Sequence, residues 1–210
     1  MDPKFDYTAH VFRSPKFRSV VEEAVDFFDQ TPLQTLPPST RFVGGGVYAL
    51  YYLGDYELYS VLSRLNRREC QHPIYVGKAV PSGWRTGRVV QSERPNLYNR
   101  LIEHARSLNQ ARNLESNEFL CRFVVLNEVE GDLVVPVEAS LIRRHKPLWN
   151  MSIDGFGNHD PGKGRYNQAA SEWDILHPGR PWVARLTGVG SKLDDIIAKI
   201  NAHVASLGPS

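Results

Sequence analysis

The chain has 210 residues, enough for one well-cored domain or for a small domain with elaborations. Its 41% hydrophobic and 23% charged residues are ordinary for a globular protein, and a net charge of +2 excludes a protein that coats nucleic acid through excess charge alone. No apolar run approaches the ~20 residues that a bilayer span needs, and the first residues lack the apolar core of a signal peptide. We therefore expect a soluble, cytoplasmic protein with no membrane partner.

The first half of the chain alternates helical and strand-like patterns. Residues 15–30 have apolar positions at helical spacing, and residues 31–40 form a proline-rich connector. Glycines followed by aromatic and aliphatic residues predict a strand over residues 42–53. A helix is predicted over residues 56–68, and a second, short strand follows over residues 74–78.

The second half begins with residues 79–95, which hold glycine, proline and three arginines without periodicity and predict a long loop. The further predicted elements are a helix over residues 96–109, a strand over 119–126, a helix over 134–146 that Pro147 ends, and a helix over 193–207. Residues 151–190 are rich in glycine, proline, tryptophan and charge and carry no assignable pattern. Cys70 and Cys121 lack any Cys-x-x-Cys partner, so we predict neither a zinc site nor a disulfide.

Five short elements occur in a fixed order within these segments. The first two elements are tyrosine triplets, each within a predicted strand. The third is an arginine and a histidine one helical turn apart. The fourth is a glutamate that opens a predicted helix, and the fifth is an asparagine that follows this helix. They are Gly46-Val47-Tyr48, Tyr75-Val76-Gly77, Arg100 with His104, Glu138, and Asn150.

This order resembles that of the GIY-YIG nucleases, over roughly residues 42–150. One triplet alone would be weak evidence, because tyrosine is common in strands, but five elements in order are specific. Two helix- or loop-sized inserts, near residues 54–72 and 79–95, separate elements that usually lie closer together in that family. The inserts look most similar to those of the type II restriction endonucleases that cut the palindrome CCGCGG.

The resemblance implies an α+β fold with a small three-stranded, mainly antiparallel sheet flanked by helices. We expect a helical arm and linker over residues 1–41 and the nuclease core over residues 42–150. Residues 151–210 would form an extension with a DNA-contacting loop and a terminal helix. All three parts would make one compact domain.

Phosphodiester hydrolysis needs an activated water, stabilisation of charge on the phosphate and help for the leaving oxygen. Glu138 could supply one oxygen ligand to Mg²⁺, one ion per site with Mn²⁺ as a substitute, because magnesium keeps much of its water shell. Alternatively, Glu138 only supports its helix, since it lies in the first turn after Pro136. Arg100 could hold phosphate oxygens through two donors, or form a surface salt bridge with Glu103 or Glu93.

The remaining candidates concern proton transfer and support. Tyr48 is the candidate general base or water-orienting group, but a free phenol has a pKa near 10, so it needs help from Lys78, His104 or the metal. His104 could instead be the base, because imidazole accepts protons near neutral pH. Tyr75 would position phosphate or water, and Asn150 would support the site through bonds to backbone. Ordinary strand packing is the alternative for both tyrosines.

Two patterns in residues 157–164 are rejected as sites. The stretch fits a P-loop except at Gly164, where serine or threonine should hold Mg²⁺, and no apolar strand precedes it. Asn158-His159-Asp160 suggests a metal cluster that nothing nearby completes. Side chains that could contact DNA occur in two loops, where they would either read bases or only touch phosphates. They are Arg85, Arg88, Lys163, Arg165, Asn167 and Gln168.

These observations predict a Mg²⁺-dependent type II restriction endonuclease acting on double-stranded DNA at a palindrome. A palindromic target favours a homodimer, and the resemblance alone implies a companion DNA methyltransferase. A structure-selective repair nuclease and a homing nuclease remain alternatives. A homing nuclease usually carries a separate DNA-binding module, and here only 60 residues follow Asn150. The non-enzyme alternative is a DNA-binding module on an inactive nuclease core.

Overall fold

The computed structural model describes residues 5–80 and 94–207, so the predicted contacts of Arg85 and Arg88 lie outside the described residues. The strands are β1 (Gln34–Thr35), β2 (Gly46–Tyr52), β3 (Tyr75–Ala79) and β4 (Phe119–Val125). The helices are α1 (Pro15–Gln30), α2 (Ser60–Arg68), α3 (Asn96–Gln110), α4 (Val134–His145), α5 (Leu148–Met151), α6 (Glu172–Leu176) and α7 (Leu193–Ala205). Short 3₁₀ helices cover Tyr7–His10, Glu57–Tyr59, Ser116–Glu118, Glu128–Leu133, Lys163–Arg165 and Val183–Arg185.

The α+β class is confirmed, but the sheet has four strands within residues 5–80 and 94–207, and the prediction of three was wrong. The strand order is β1-β4-β2-β3, and all three pairs are antiparallel. The extra strand, β1, lies within the proline-rich connector and pairs with the outer edge of β4. Two residues of a polar edge strand cannot show an alternating apolar pattern, which is why the sequence gives no signal for it.

Strand β2 forms the centre of the sheet, and all seven of its residues are buried. Successive side chains point to opposite faces of a strand. Tyr48, Leu50 and Tyr52 pack on one face with α3 and the C-terminal helices, whereas Val47 and Tyr51 pack on the other with α1 and α4. Helices thus cover both faces of the sheet, which explains why the sequence of β2 is an unbroken apolar run.

The N-terminal helix α1 begins where Ser14 accepts a hydrogen bond from the Phe17 amide and Pro15 supplies the first helical residue. Its apolar stripe buries Val25 and Phe28 completely. Arg144 of α4 donates to two carboxylates of α1, so ion pairs also connect the two helices. Helix α4, which carries Glu138, is therefore held in a fixed position against the sheet.

The C-terminal extension is joined to the core by a buried polar network. The Tyr59 hydroxyl lies 2.7 Å from Nε2 of His177 and accepts from Nε1 of Trp149 at 3.0 Å. Nδ1 of His177 lies 2.9 Å from Oδ1 of Asn113. Burial lowers the pKa of His177 to about 3, so its ring stays neutral. Because both ring nitrogens of His177 have partners, this network fixes His177 against Asn113 and the 3₁₀ helix Glu57–Tyr59.

No helix in residues 5–80 and 94–207 is long and apolar enough to cross a membrane. The two cysteines are free, Cys121 buried and Cys70 half-buried. Trp149 and Trp173 are buried in the core, whereas Trp182 is only partly buried.

Candidate active site

The two tyrosine triplets lie side by side on antiparallel strands. Tyr48 on β2 pairs in register with Gly77 on β3, and Leu50 pairs with Tyr75. The rings of Tyr48 and Tyr75 are 6.2 Å apart between centroids. Helix α3 crosses the same face of the sheet and places His104 within its buried apolar stripe. The topology therefore brings both tyrosines, Arg100 and His104 into one group.

The centre of this group is a hydrogen bond between the Tyr48 hydroxyl and Nε2 of His104, at 2.5 Å. Both side chains are buried. Burial raises the pKa of Tyr48 well above its ordinary value, and neighbouring Tyr75 raises it further, while Arg100 opposes the rise. Burial likewise lowers the pKa of His104 far below its ordinary value, helped by the charge of Arg100. The resting pair is therefore a neutral phenol hydrogen-bonded to a neutral imidazole.

Arg100 sits beside the pair at the end nearer to solvent, with its side chain 19% exposed. Its Nη1 donates to Glu103 at 3.0 Å and lies 2.5 Å from Nε2 of His159, while Nη2 donates to the Gly157 carbonyl at 3.0 Å. The salt bridge with Glu103 considered from the sequence is thus present. It does not use all the donors of the guanidinium, which also faces Tyr48 and Tyr75 closely enough to lower the pKa of each.

Lys78 and Glu138 form an ion pair beyond the edge of the tyrosine group. Lys78 is two residues from Val76, which packs on the α4 side of the sheet, so it faces α4 and pairs with Glu138 there. The side chains are 37% and 15% exposed. Although β3 separates this pair from the tyrosine face, the negative charge of Glu138 still raises the pKa of both Tyr48 and Tyr75.

Asn150 on α5 holds the exposed edge of β3. Its Oδ1 accepts from the Val76 amide at 2.8 Å, and its Nδ2 donates to the Val76 carbonyl at 2.9 Å. The side-chain amide thereby takes the place of a neighbouring strand at the middle residue of the second triplet. This contact fixes β3 between the tyrosine group and the Lys78–Glu138 pair.

Gly77 is required by the space that Tyr48 occupies. A Cβ atom at this position would lie 2.4 Å from the Tyr48 hydroxyl oxygen and 2.6 Å from Cζ, distances that real contacts do not show. Because Tyr48 is buried and hydrogen-bonded, it has nowhere to move. The glycine of the second triplet thus makes room for the tyrosine of the first.

We expect Gly77→Ala to destabilise the protein by about 1–3 kcal/mol, the usual cost of overpacking a core. Gly164→Ala is the matched control, because nothing lies within 4 Å of a Cβ there. Urea unfolding of both variants measures the difference. Equal stability of the two variants would show that Tyr48 is not held where the structure places it.

The predicted DNA-contacting residues of the second loop are all exposed. Lys163 and Arg165 lie in the 3₁₀ helix Lys163–Arg165, and Asn167 and Gln168 follow it. Gln168 donates to the Arg165 carbonyl, and Arg185 pairs with Asp160 at 2.6 Å. The loop starts at His159, which contacts Arg100. The four predicted DNA-contacting residues therefore follow shortly after a residue of the candidate site in the sequence.

Sequence reasoning missed the part that residues 155–159 play in the site. Phe156 stacks on His104, with ring centroids 4.5 Å apart and an interplanar angle of 18°. Asn158-His159-Asp160 was treated only as a rejected metal cluster, and the described residues contain no group of three or more histidine, cysteine or acidic side chains that could hold a metal. No local pattern could reveal contacts to residues more than fifty positions earlier in the chain.

Comparison with known families agrees with this geometry. A family model described as the Eco29kI GIY-YIG domain, which represents a restriction endonuclease family, matches residues 40–204. The match extends well past Asn150 and includes most of the predicted extension, while the division at residues 41 and 150 stays a prediction. No curated protein matches the chain. Because the family model covers most of the 210 residues, the chain belongs to the Eco29kI GIY-YIG family.

Proposed function

We propose that the chain is a Mg²⁺-dependent type II restriction endonuclease that hydrolyses phosphodiester bonds of double-stranded DNA at a palindromic site. The observation that carries this proposal is the buried Tyr48–His104 hydrogen bond with the Arg100 guanidinium beside it. A proton relay next to a fixed positive charge suits attack of water on a phosphate. Membership of a restriction endonuclease family supports the same reaction class.

In the proposed reaction, His104 is the proton acceptor of the relay. Because burial and Arg100 keep its pKa low, the imidazole is neutral at physiological pH. The negative charge of a bound phosphate would stabilise the imidazolium, so that Nε2 could accept the Tyr48 proton during the reaction. Tyr48 can then take a proton from the attacking water, so it needs no low pKa of its own. This arrangement addresses the difficulty that a lone phenol, with its pKa raised by burial, is a poor base at neutral pH.

Arg100 would neutralise the phosphate. Tyr48 has no exposed surface, so water or phosphate can reach its hydroxyl only after a neighbouring side chain moves. Arg100 is the neighbour that a phosphate would attract, since a guanidinium binds phosphate oxygens through two parallel hydrogen bonds. Its present partners Glu103 and His159 are both exposed and can be replaced by DNA at modest cost.

The residues present fit a magnesium ion held at Glu138. Magnesium is usually bound by one or two carboxylates together with waters and substrate phosphates, so a single glutamate suffices. The Glu138 carboxylate already binds a cation, the Lys78 ammonium, and is partly open to solvent. When bound, Mg²⁺ would stabilise negative charge on the phosphate and the leaving oxygen, and Mn²⁺ could substitute. Lys78 would then be free to contact the DNA backbone.

We propose that Lys163, Arg165, Asn167 and Gln168 contact the DNA beyond the scissile phosphate. All four are exposed, and their loop leads directly from His159 at the site. A palindromic target implies that two copies of the chain act as a two-fold dimer, one site for each strand. CCGCGG is the proposed target, and a companion DNA methyltransferase would protect the host.

Digestion of plasmid DNA tests the proposed function. We expect purified protein with Mg²⁺ to convert a plasmid containing CCGCGG into discrete fragments, and EDTA to abolish cutting. Mn²⁺ is the second metal tested, and a plasmid without CCGCGG is the control for the target. Sequencing of the fragment ends gives the recognition site and the stagger. Cleavage of branched DNA without a sequence rule would favour a repair nuclease, and binding without cutting would favour an inactive module.

A further inference from the structure

The segment 155–158 forms a wall of the candidate site. Phe156 is 1% exposed, stacks its ring on His104 and makes a T-shaped contact with Tyr75, at 4.9 Å between centroids. The Gly157 carbonyl accepts from Arg100, and a Cβ at Gly157 would lie 2.9 Å from the Tyr75 hydroxyl oxygen. The segment thus excludes water from the imidazole and orients the guanidinium.

One buried side chain holds this segment in place. Nη1 of Arg180 donates to the carbonyls of Phe156 at 3.2 Å and Asn158 at 3.0 Å, and Nη2 donates to that of Gly155 at 2.9 Å. Nε donates to Oδ1 of Asp174 at 2.6 Å. The Arg180 and Asp174 side chains are each only 1% exposed. The guanidinium also packs over the ring of Trp173, at 4.6 Å from its centroid.

A contribution to the free energy of unfolding does not explain well why Arg180 and Asp174 are buried. A buried ion pair gains little over an apolar pair of similar volume, because both charges lose their water. The planar fork of arginine, however, can bind several backbone carbonyls at once in a fixed geometry, which neither lysine nor an apolar residue can do. Three of the four bonds from Arg180 go to the segment that touches His104 and Arg100. The arrangement therefore specifies the conformation of that segment.

We propose that Arg180 is a positioning residue of the nuclease site, an inference that rests on the proposed function. By holding residues 155–158, it keeps Phe156 stacked on His104 and the Gly157 carbonyl bonded to Arg100. Asp174 serves the same purpose by fixing Arg180, and Ser171 in turn donates to Asp174 at 2.6 Å. The hydrogen bonds of Arg180 go to Asp174 and to residues 155–158, so it acts on the site through that segment.

The protonation state of His104 reports on this arrangement. The polar and charged groups around the imidazole are Tyr48 from β2, Tyr75 from β3, Arg100 from its own helix, and His159 and Arg180 from the extension. Burial lowers the pKa of His104 most, and Arg100, His159 and Arg180 lower it further. If the segment is released, water reaches the ring and one cation leaves, so the pKa rises toward its ordinary value.

Arg180→Met tests the proposal, because methionine fills the volume without binding the carbonyls. We expect its kcat for plasmid cleavage to fall on the order of 100-fold, the usual cost of misplacing catalytic groups, with KM for DNA changed less than about three-fold. His104 must be neutral to accept a proton. If the pKa of His104 is higher in Arg180→Met, the ring becomes protonated, and activity is lost, at a higher pH than in the wild-type protein. The acid limb of the pH–rate profile should therefore move toward neutral pH.

Val25→Ala is the matched control. Val25 is fully buried on the opposite face of the sheet, so its truncation lowers stability without touching residues 155–158. We expect this variant to keep the wild-type kcat and pH profile well below its melting temperature. An unchanged kcat and acid limb in Arg180→Met, or equal changes in Val25→Ala, would overturn the proposal. If Arg180→Met does not fold, Arg180→Lys keeps the charge without the fork, and the same changes are expected to a smaller extent.

An NMR titration separates this proposal from the proposed function. In ¹⁵N-histidine-labelled protein, with the His104 signal assigned through His104→Gln, we expect the wild-type ring to stay neutral at pH values near and below 6.5. In Arg180→Met the ring should titrate near the ordinary value of about 6.5. Identical titration in both proteins would contradict the positioning role whether or not the protein cuts DNA. If the wild-type protein cuts no DNA but His104 titrates differently in the wild-type and Arg180→Met proteins, only the nuclease function is contradicted.

Discussion

The Glu138→Ala protein should bind target DNA and leave it uncut. Glu138 is the carboxylate that we propose as the metal ligand, and metal stabilisation of a phosphoryl transition state contributes several kcal/mol. Since each 1.36 kcal/mol is tenfold in rate, we expect cleavage to slow by at least about 1,000-fold. The loss of the partly exposed ion pair with Lys78 should cost less than about 1 kcal/mol of stability, so the fold is kept.

Two measurements check this expectation. A gel-shift assay in EDTA gives the affinity for DNA, and plasmid cleavage with Mg²⁺ gives the rate. Glu130→Ala is the control, because Glu130 is an exposed carboxylate in the 3₁₀ helix Glu128–Leu133 just before α4. Cutting by Glu138→Ala at the wild-type rate would exclude Glu138 as the metal ligand. Loss of both cutting and binding would indicate that Glu138 matters for the DNA surface and not for the chemistry.

Tyr48→Phe should also stop cleavage in a folded protein. The substitution removes only the hydroxyl and leaves Nε2 of His104 without its partner, a loss that costs about 1–3 kcal/mol at a buried site. General acid–base groups contribute typically about 10²- to 10⁴-fold, and we expect a rate loss within that range. Binding of DNA should change little, because the phenol is buried and Arg100 remains.

Tyr51→Phe is the control for Tyr48→Phe. Tyr51 is equally buried on the same strand but points to the opposite face, toward α1 and α4. Full activity in Tyr51→Phe and none in Tyr48→Phe would assign the effect to the hydroxyl at the site. Near-normal cutting by Tyr48→Phe would instead make His104 or a metal-bound hydroxide the base, and His104→Gln would distinguish these two.

Much of the framework can be predicted from sequence because its signals are local. Apolar spacing alone predicts helix α1 over residues 15–30, where the structure has it. The predicted strands over residues 74–78 and 119–126 coincide closely with β3 and β4. Strand β1 was missed because two polar residues form a strand only when β4 offers its edge. Residues 151–190 carry no local pattern, because their short helices depend on contacts with the core.

What the sequence by itself determined is the order of chemical groups: two tyrosine triplets on strands, Arg100 and His104 one helical turn apart, Glu138 on a helix, and Asn150 after it. The prediction that Glu138 lies in the first turn of its helix was wrong, because α4 begins at Val134. Residue type and short spacing are enough for this, since each element spans at most a few positions. Only the tertiary structure decided that Tyr48 is hydrogen-bonded to His104, and that Lys78 pairs with Glu138 across the edge of β3. Likewise, only folding brings residues 155–158 of the extension onto Arg100 and His104. Such contacts join residues more than fifty positions apart, and burial, which sets the pKa values there, is a property of the packed molecule and not of any segment.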